Sequence, residues 1–163
     1  GTGNLKDISR RQFLRGDFSG RTAVPRPPWA LAEAAFLAAC TRCGDCIGAC
    51  PQHILVADKD LRPIVDFSRG ECTFCGQCAE ACRPRALEKT EGVPPWQLKA
   101  RIQSNCLAKS NVVCRACGDA CPVQAIRFSP KVMSAAQPEV SNALCTGCGA
   151  CCAPCPAQAI RIA

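Results

Sequence analysis

Apolar positions in this chain come in short blocks separated by polar turns. Residues 30–39, opened by Pro27-Pro28-Trp29, set Trp29, Phe36 and Leu37 mostly along one side, which predicts a helix from Ala30 to Ala39. Ile54-Leu55-Val56 and Pro63-Ile64-Val65-Asp66-Phe67 flank a polar turn and predict two short strands. The scheme restarts at Pro94-Pro95-Trp96. There Gln97 to Asn105, with Leu98 and Ile102 four apart, predicts a second helix. Ala125-Ile126-Arg127-Phe128 and Pro138-Glu139-Val140 then occupy the strand positions. The result is an internal repeat offset by about 70 residues. It gives a half spanning 29–93, a second spanning 94–163, and a stretch 1–28 ahead of both. No apolar run approaches the roughly 18 residues of a membrane span.

Cysteine fills the gaps in this pattern. Cys40, Cys43, Cys46 and Cys50, followed by Pro51, have the C-x2-C-x2-C-x3-C-P spacing of a bacterial [4Fe-4S] ligand set. The spacing returns at Cys72, Cys75, Cys78, Cys82 and at Cys145, Cys148, Cys151, Cys155 with Pro156. A stretched copy is Cys106, Cys114, Cys117, Cys121 with Pro122. Three thiolates two residues apart suit a loop around three corners of one cube. The fourth sits on a short turn pointing away and in paired clusters ligates the neighbour. Small residues in that turn (Gly48 and Ala49, Ala79 and Ala81, Gly118 and Ala120) let backbone N–H groups approach the sulfurs.

Spacing alone leaves open which sets pair. The Pro-Pro-Trp repeat pairs the first with the second and the third with the fourth. The expected quartets are Cys40, Cys43, Cys46 with Cys82, and Cys72, Cys75, Cys78 with Cys50. In the second half they are Cys106, Cys114, Cys117 with Cys155, and Cys145, Cys148, Cys151 with Cys121. The expected cofactors are four [4Fe-4S] clusters. The fold class is α+β, two two-cluster ferredoxin-like halves in tandem behind a basic N-terminal arm.

Composition fits this reading. There are 17 cysteines in 163 residues; a disulfide scaffold would need an oxidising compartment, and paired zinc knuckles do not call for the third Cys or the Pro. With only two Trp, six Phe and no Tyr, each half buries little apolar surface, so folding is expected to depend on metal. The formal charge of +7 drops to about −1 once four clusters of about −2 each are counted, so it is no argument for nucleic acid. No catalytic carboxylate pair, phosphate loop or nicotinamide motif is present, which points to an electron-transfer or accessory protein and not an enzyme.

Three features stand apart. Leu107 to Val113 replaces the usual two residues inside the third set; it reads either as tolerated length variation or as a docking face. Cys152, beside Cys151, reads as a small packing residue, and His53 as a surface residue. The segment Ser9-Arg10-Arg11-Gln12-Phe13-Leu14-Arg15 looks like a twin-arginine export signal, but Asp17, Arg21, Arg26 and three prolines interrupt the apolar run that export requires. It reads instead as a partner-binding arm carried by Arg10, Arg11 and Arg15, with a merely solvated tail as the competing reading.

Together these motifs resemble the NapF family, ferredoxin-type accessory proteins of the periplasmic nitrate reductase system. The resemblance rests on Ser9-Arg10-Arg11 with Leu14 and Gly16, on Arg26-Pro27-Pro28-Trp29, on Cys40-Thr41-Arg42-Cys43, on the insertion before Cys114 and on Cys145 to Pro156. It covers nearly the whole chain. It implies a cytoplasmic protein that associates with the molybdenum-containing catalytic subunit before export and serves its iron–sulfur maturation or redox activation. A redox donor protein would be a further partner. The competing reading is a general polyferredoxin or an electron-transfer subunit of an oxidoreductase.

Overall fold

In a computed structural model, residues 25–163 are described; the arm residues Arg10, Arg11 and Arg15 lie outside them. Strand β1 (Leu55–Ala57) pairs antiparallel with β2 (Pro63–Val65), Leu55 opposite Val65 and Ala57 opposite Pro63. Leu55, Pro63 and Val65 share one face and are buried, while Val56 and Ile64 on the other face are half-buried, so one side of this ribbon faces inward, with Ala57 exposed at its end. In the second half, β4 (Ile126–Lys131) and β5 (Ser134–Val140) form a longer hairpin with an irregularity between Ser129 and Lys131. The expected strands are thus present in both halves.

Helix α1 (Glu33–Ala39) begins three residues later than the periodicity implies. Trp29 has a left-handed φ of 60°, and Ala30 is held instead in a bridge to Leu87. Phe36 is the one buried residue of α1, and Leu37 is exposed.

The helix expected over Gln97–Asn105 is not formed. Its centre is β3 (Ala100–Ile102), paired antiparallel with β6 (Ile160–Ile162) near the end of the chain. The physical reason is tertiary. Ala100, Ile160 and Ile162 are buried at this pairing, and the strand hydrogen bonds are extended by Lys99 N–H to the Ala163 carbonyl and Ala163 N–H to the Lys99 carbonyl. The Ala30–Leu87 bridge is the counterpart in the first half, with Glu88 N–H on the Trp29 carbonyl.

Among the described residues, three further helices are single turns, each carrying the third Cys of a set: α2 (Asp45–Gly48), α3 (Gln77–Glu80) and α4 (Ala116–Asp119). One hydrophobic core runs through both halves, from Trp29, Phe36, Ile54 and Leu87 to Ala100, Ile126 and Ile160, with buried cysteines among them. Arg26, which the sequence groups with the arm, packs onto the body. It bonds Glu33 and Asp58 and lies 4.8 Å above the Phe36 ring.

Candidate iron–sulfur centres

The backbone repeats one device around each fourth cysteine. The third residue beyond it takes a left-handed φ: His53 at 53°, Arg85 at 56°, Gln124 at 49° and Gln158 at 49°. The N–H of each donates to the carbonyl of its cysteine, Cys50, Cys82, Cys121 or Cys155, at 3.0–3.1 Å. His53 is therefore an exposed turn residue, as its sequence context suggests. The turn then presents an N–H to sulfur. Leu87, Ala125 and Ala159 donate to the Sγ atoms of Cys82, Cys121 and Cys155 at 3.4, 3.2 and 3.3 Å. Such donors stabilise charge on a cluster ligand and help set its potential.

At the front of each set, the residue after the second Cys is Gly44, Gly76 or Gly149, with φ of 80°, 87° and 81°. The third set departs here too. Arg115 occupies that place at φ −131°, so the left-handed turn of the other three sets is not made there. Nothing in the cysteine spacing signals this second departure.

The cysteines line four cavities of about 300 to 340 Å3, counting their open mouths. The first centre is lined by Cys40, Cys43, Cys46 and Cys82, and the second by Cys72, Cys75, Cys78 and Cys50. The third is lined by Cys106, Cys114, Cys117 and Cys155, and the fourth by Cys145, Cys148, Cys151 and Cys121. The structure thus gathers three cysteines of one set with the last of its partner set around each cavity. Among the described residues, no three His, Cys, Asp or Glu side chains converge closely enough to hold a single ion. Thiols arranged around a largely apolar hollow suit a cubic cluster better than one zinc.

The thiols are costly to ionise without iron. Burial, then the neighbouring Cys82, Cys78, Cys43 and Cys40 charges, pushes Cys46 up to about 12. Burial, then Cys72, pushes Cys78 up to about 12. Burial, then Cys151 and Cys106, pushes Cys117 up to about 11. Cys151 is also raised, first by its hydrogen bond with Cys152 and then by burial. Cys152 itself is half-buried against the core, consistent with a packing role. Iron charge is what makes a cluster of buried thiolates tenable.

Comparison with known proteins agrees with this geometry. Residues 28–87 match one 4Fe-4S dicluster domain and residues 112–161 another. The ferredoxin-type protein NapF of Haemophilus influenzae is 42% identical over 96% of this chain and 94% of its own length. That of Escherichia coli strain K12 is 43% identical over 94% of this chain and 93% of its own. A shorter stretch, 39% of this chain, is 44% identical to the ferredoxin-type protein NapG of Haemophilus influenzae and covers 22% of that protein. With two dicluster domains in tandem and end-to-end similarity to such proteins, this chain belongs to the NapF family of ferredoxin-type iron–sulfur proteins.

Proposed function

We propose that each of the four cavities holds one [4Fe-4S] cluster on the four cysteines that line it. In this reading the chain is two two-cluster halves, 29–93 and 94–163, behind the basic arm 1–28. The loaded protein binds the cytoplasmic precursor of the periplasmic nitrate reductase catalytic subunit and serves its iron–sulfur maturation or redox activation. The observation that carries this is similarity to NapF proteins over 94–96% of the chain. The cavity geometry supports the cluster count, and the domain type supports electron transfer as the chemistry. No helix among the described residues is long and apolar enough to cross a membrane.

The arm supplies recognition. Arg10, Arg11 and Arg15 offer fork-shaped donors to carboxylate-rich surfaces, which adds orientation and on-rate more than raw affinity. A plain electron carrier is the second reading, favoured by the exposed positions of Cys43 and Cys75 at the mouths of the first and second centres. The deciding experiment is a pull-down with cofactor-free and cofactor-loaded catalytic subunit. Preferential capture of the immature form, weakened by Arg10→Ala with Arg11→Ala at unchanged iron content, is expected. Equal capture of neither or both forms would leave only the carrier.

A further inference from the structure

The two halves meet through their cysteine loops. The N–H of Cys72, in the second centre, donates to the carbonyl of Cys148, in the fourth, at 2.8 Å. Gly149 lies directly against Phe67: a Cβ built there would stand 2.0 Å from the ring. Gly147 is similarly tight, with the Leu98 carbonyl 2.4 Å and Trp96 Nε1 2.8 Å from the position of its missing Cβ. Trp96 closes the junction, its Nε1 donating to the Thr146 carbonyl at 3.0 Å. Both glycines also have left-handed φ, 74° and 81°, so the close approach and the backbone turn require the same residue.

Within each half, one turn of chain joins neighbouring centres. Cys46 of the first centre and Cys50 of the second flank the end of α2; Cys117 of the third and Cys121 of the fourth flank the end of α4. The first and second centres are therefore adjacent, as are the third and fourth. Among the described residues, the backbone hydrogen bond at Cys72 and Cys148 links ligand cysteines of different halves.

We infer that the four centres form a single electron conductor in the order first, second, fourth, third, with the Cys72–Cys148 contact as the crossing between halves and Gly149 and Phe67 as the residues that set its width. This rests on the four-cluster reading above. The sequence order of the sets would instead place the second beside the third. Electron tunnelling falls steeply with gap, so the nearest pair of clusters governs exchange between halves. Each step moves one electron: a reduced cluster returns to its oxidised level as its neighbour is reduced, no bond breaks and no proton moves. The path is short in bonds: Sγ, Cβ and Cα of Cys72, its N–H, the Cys148 carbonyl, then back to Sγ. The first and third centres are left as the termini, so a donor and an acceptor can dock at opposite ends of one chain.

The test is electron paramagnetic resonance on the full, anaerobically reconstituted chain reduced with dithionite. Iron and sulfide are counted first; fewer than about 16 irons per chain fails the four-cluster reading itself. With a full count, pulsed dipolar measurements on the native protein should find one separation between halves as short as those within a half. Gly149→Asn, which tolerates the left-handed φ but drives side-chain atoms into Phe67, should lose that coupling and keep the coupling inside each half. Phe67→Ala combined with Gly149→Asn, where the vacated ring space admits the new side chain, should regain it. A native spectrum reproduced by two independent pairs overturns the conductor. So does a Gly149→Asn protein with full iron and unchanged coupling. Should Gly149→Asn retain less iron, the native measurement alone decides.

Discussion

The ring of Trp96 meets that of Phe67 edge-on, with centroids 5.9 Å apart and planes at 77°. It meets Phe74 in the same way at 5.6 Å and 75°. Trp96 opens the second half, whereas both phenylalanines belong to the first, so the repeat marker has become the seam. Its sequence counterpart Trp29 does a different job. Trp29 is buried under Lys89, whose Nζ stands 5.1 Å from the ring, and its N–H bonds the Pro95 carbonyl at 2.7 Å. A double-mutant cycle of Trp96→Leu and Phe67→Leu on the loaded protein should give a coupling of about 0.5–1.5 kcal/mol. Anaerobic denaturant unfolding measures it. Additive losses would mean that the rings only fill space.

Arg26 ties α1 to the β1–β2 hairpin. Its guanidinium bonds both carboxylate oxygens of Glu33, at 2.9 and 3.2 Å, and reaches Asp58 at 3.1 Å and the Pro63 carbonyl at 3.3 Å. Arg26→Met should cost about 1–2 kcal/mol, less than the bond count suggests because Glu33 is well exposed and screened. Arg26→Lys should recover less than half of that, since an ammonium cannot reproduce the fork or the stacking over Phe36. If the lysine variant unfolds at the same denaturant concentration as the native protein, geometry is irrelevant here and only charge counts.

Removing iron exposes the linkage between thiol ionisation and folding. Cys46, Cys72, Cys78 and Cys117 lie above their ordinary value of 9.0 in the folded chain, at about 11 to 12, chiefly through burial. A raised value means that the folded form keeps its protons longer than the unfolded one. The associated stability is complete below pH 9 and is lost as pH climbs towards 12. Chelated protein, deprived of the clusters that fill its core, should lose most of its structure even at neutral pH, and any residual circular dichroism should fade between pH 9 and 12. Loaded protein, with its thiolates on iron, should show no such fading across the lower part of that window. A metal-free chain with unchanged dichroism at pH 7 would contradict the dependence on clusters.

The centres were more legible in the sequence than the chain that holds them. Cysteine spacing is a local signal with a rigid geometric meaning, and the Pro-Pro-Trp repeat resolved which sets share cavities. The hairpin around Ile54–Phe67 was equally local. The 97–105 segment was not, because Leu98 and Ile102 satisfy a helical period while Ala100 and Ile102 equally satisfy an alternating one. The partner that decides between them, Ile160–Ile162, lies about 60 residues away and has no marker of its own. The seam was invisible for the same reason. Gly149 reads as one more loop glycine until Phe67 stands against it.

The Leu107–Val113 insertion is fastened, and the fastening makes the third centre separately testable. Ser110 N–H bonds the Cys106 carbonyl and Val112 N–H the Leu107 carbonyl, folding the loop back on itself. Asn111 Oδ1 accepts the Ala135 N–H at 2.6 Å, and Gln137 Nε2 donates to the Ala108 carbonyl at 2.6 Å, so the turn end of the long hairpin holds the loop from outside. Ala108 is buried, and Leu107, Phe128 and Pro138 line the third cavity. Cutting these ties should uncover that one centre. Gln137→Ala strands the Ala108 carbonyl at a cost of about 1–3 kcal/mol, which the loop escapes by opening. If opening limits attack on the third cluster, a gap of about 1.4 kcal/mol corresponds to roughly tenfold faster loss. Anaerobic chelation followed by iron release should then show about a quarter of the iron leaving early and the rest at the native rate. Asn111→Ala should do the same more weakly, because Asn111 is exposed and water can replace its oxygen. Uniform acceleration of all the iron would mean that the hairpin supports the whole fold. Unchanged kinetics in both variants would mean that the loop does not guard the cluster.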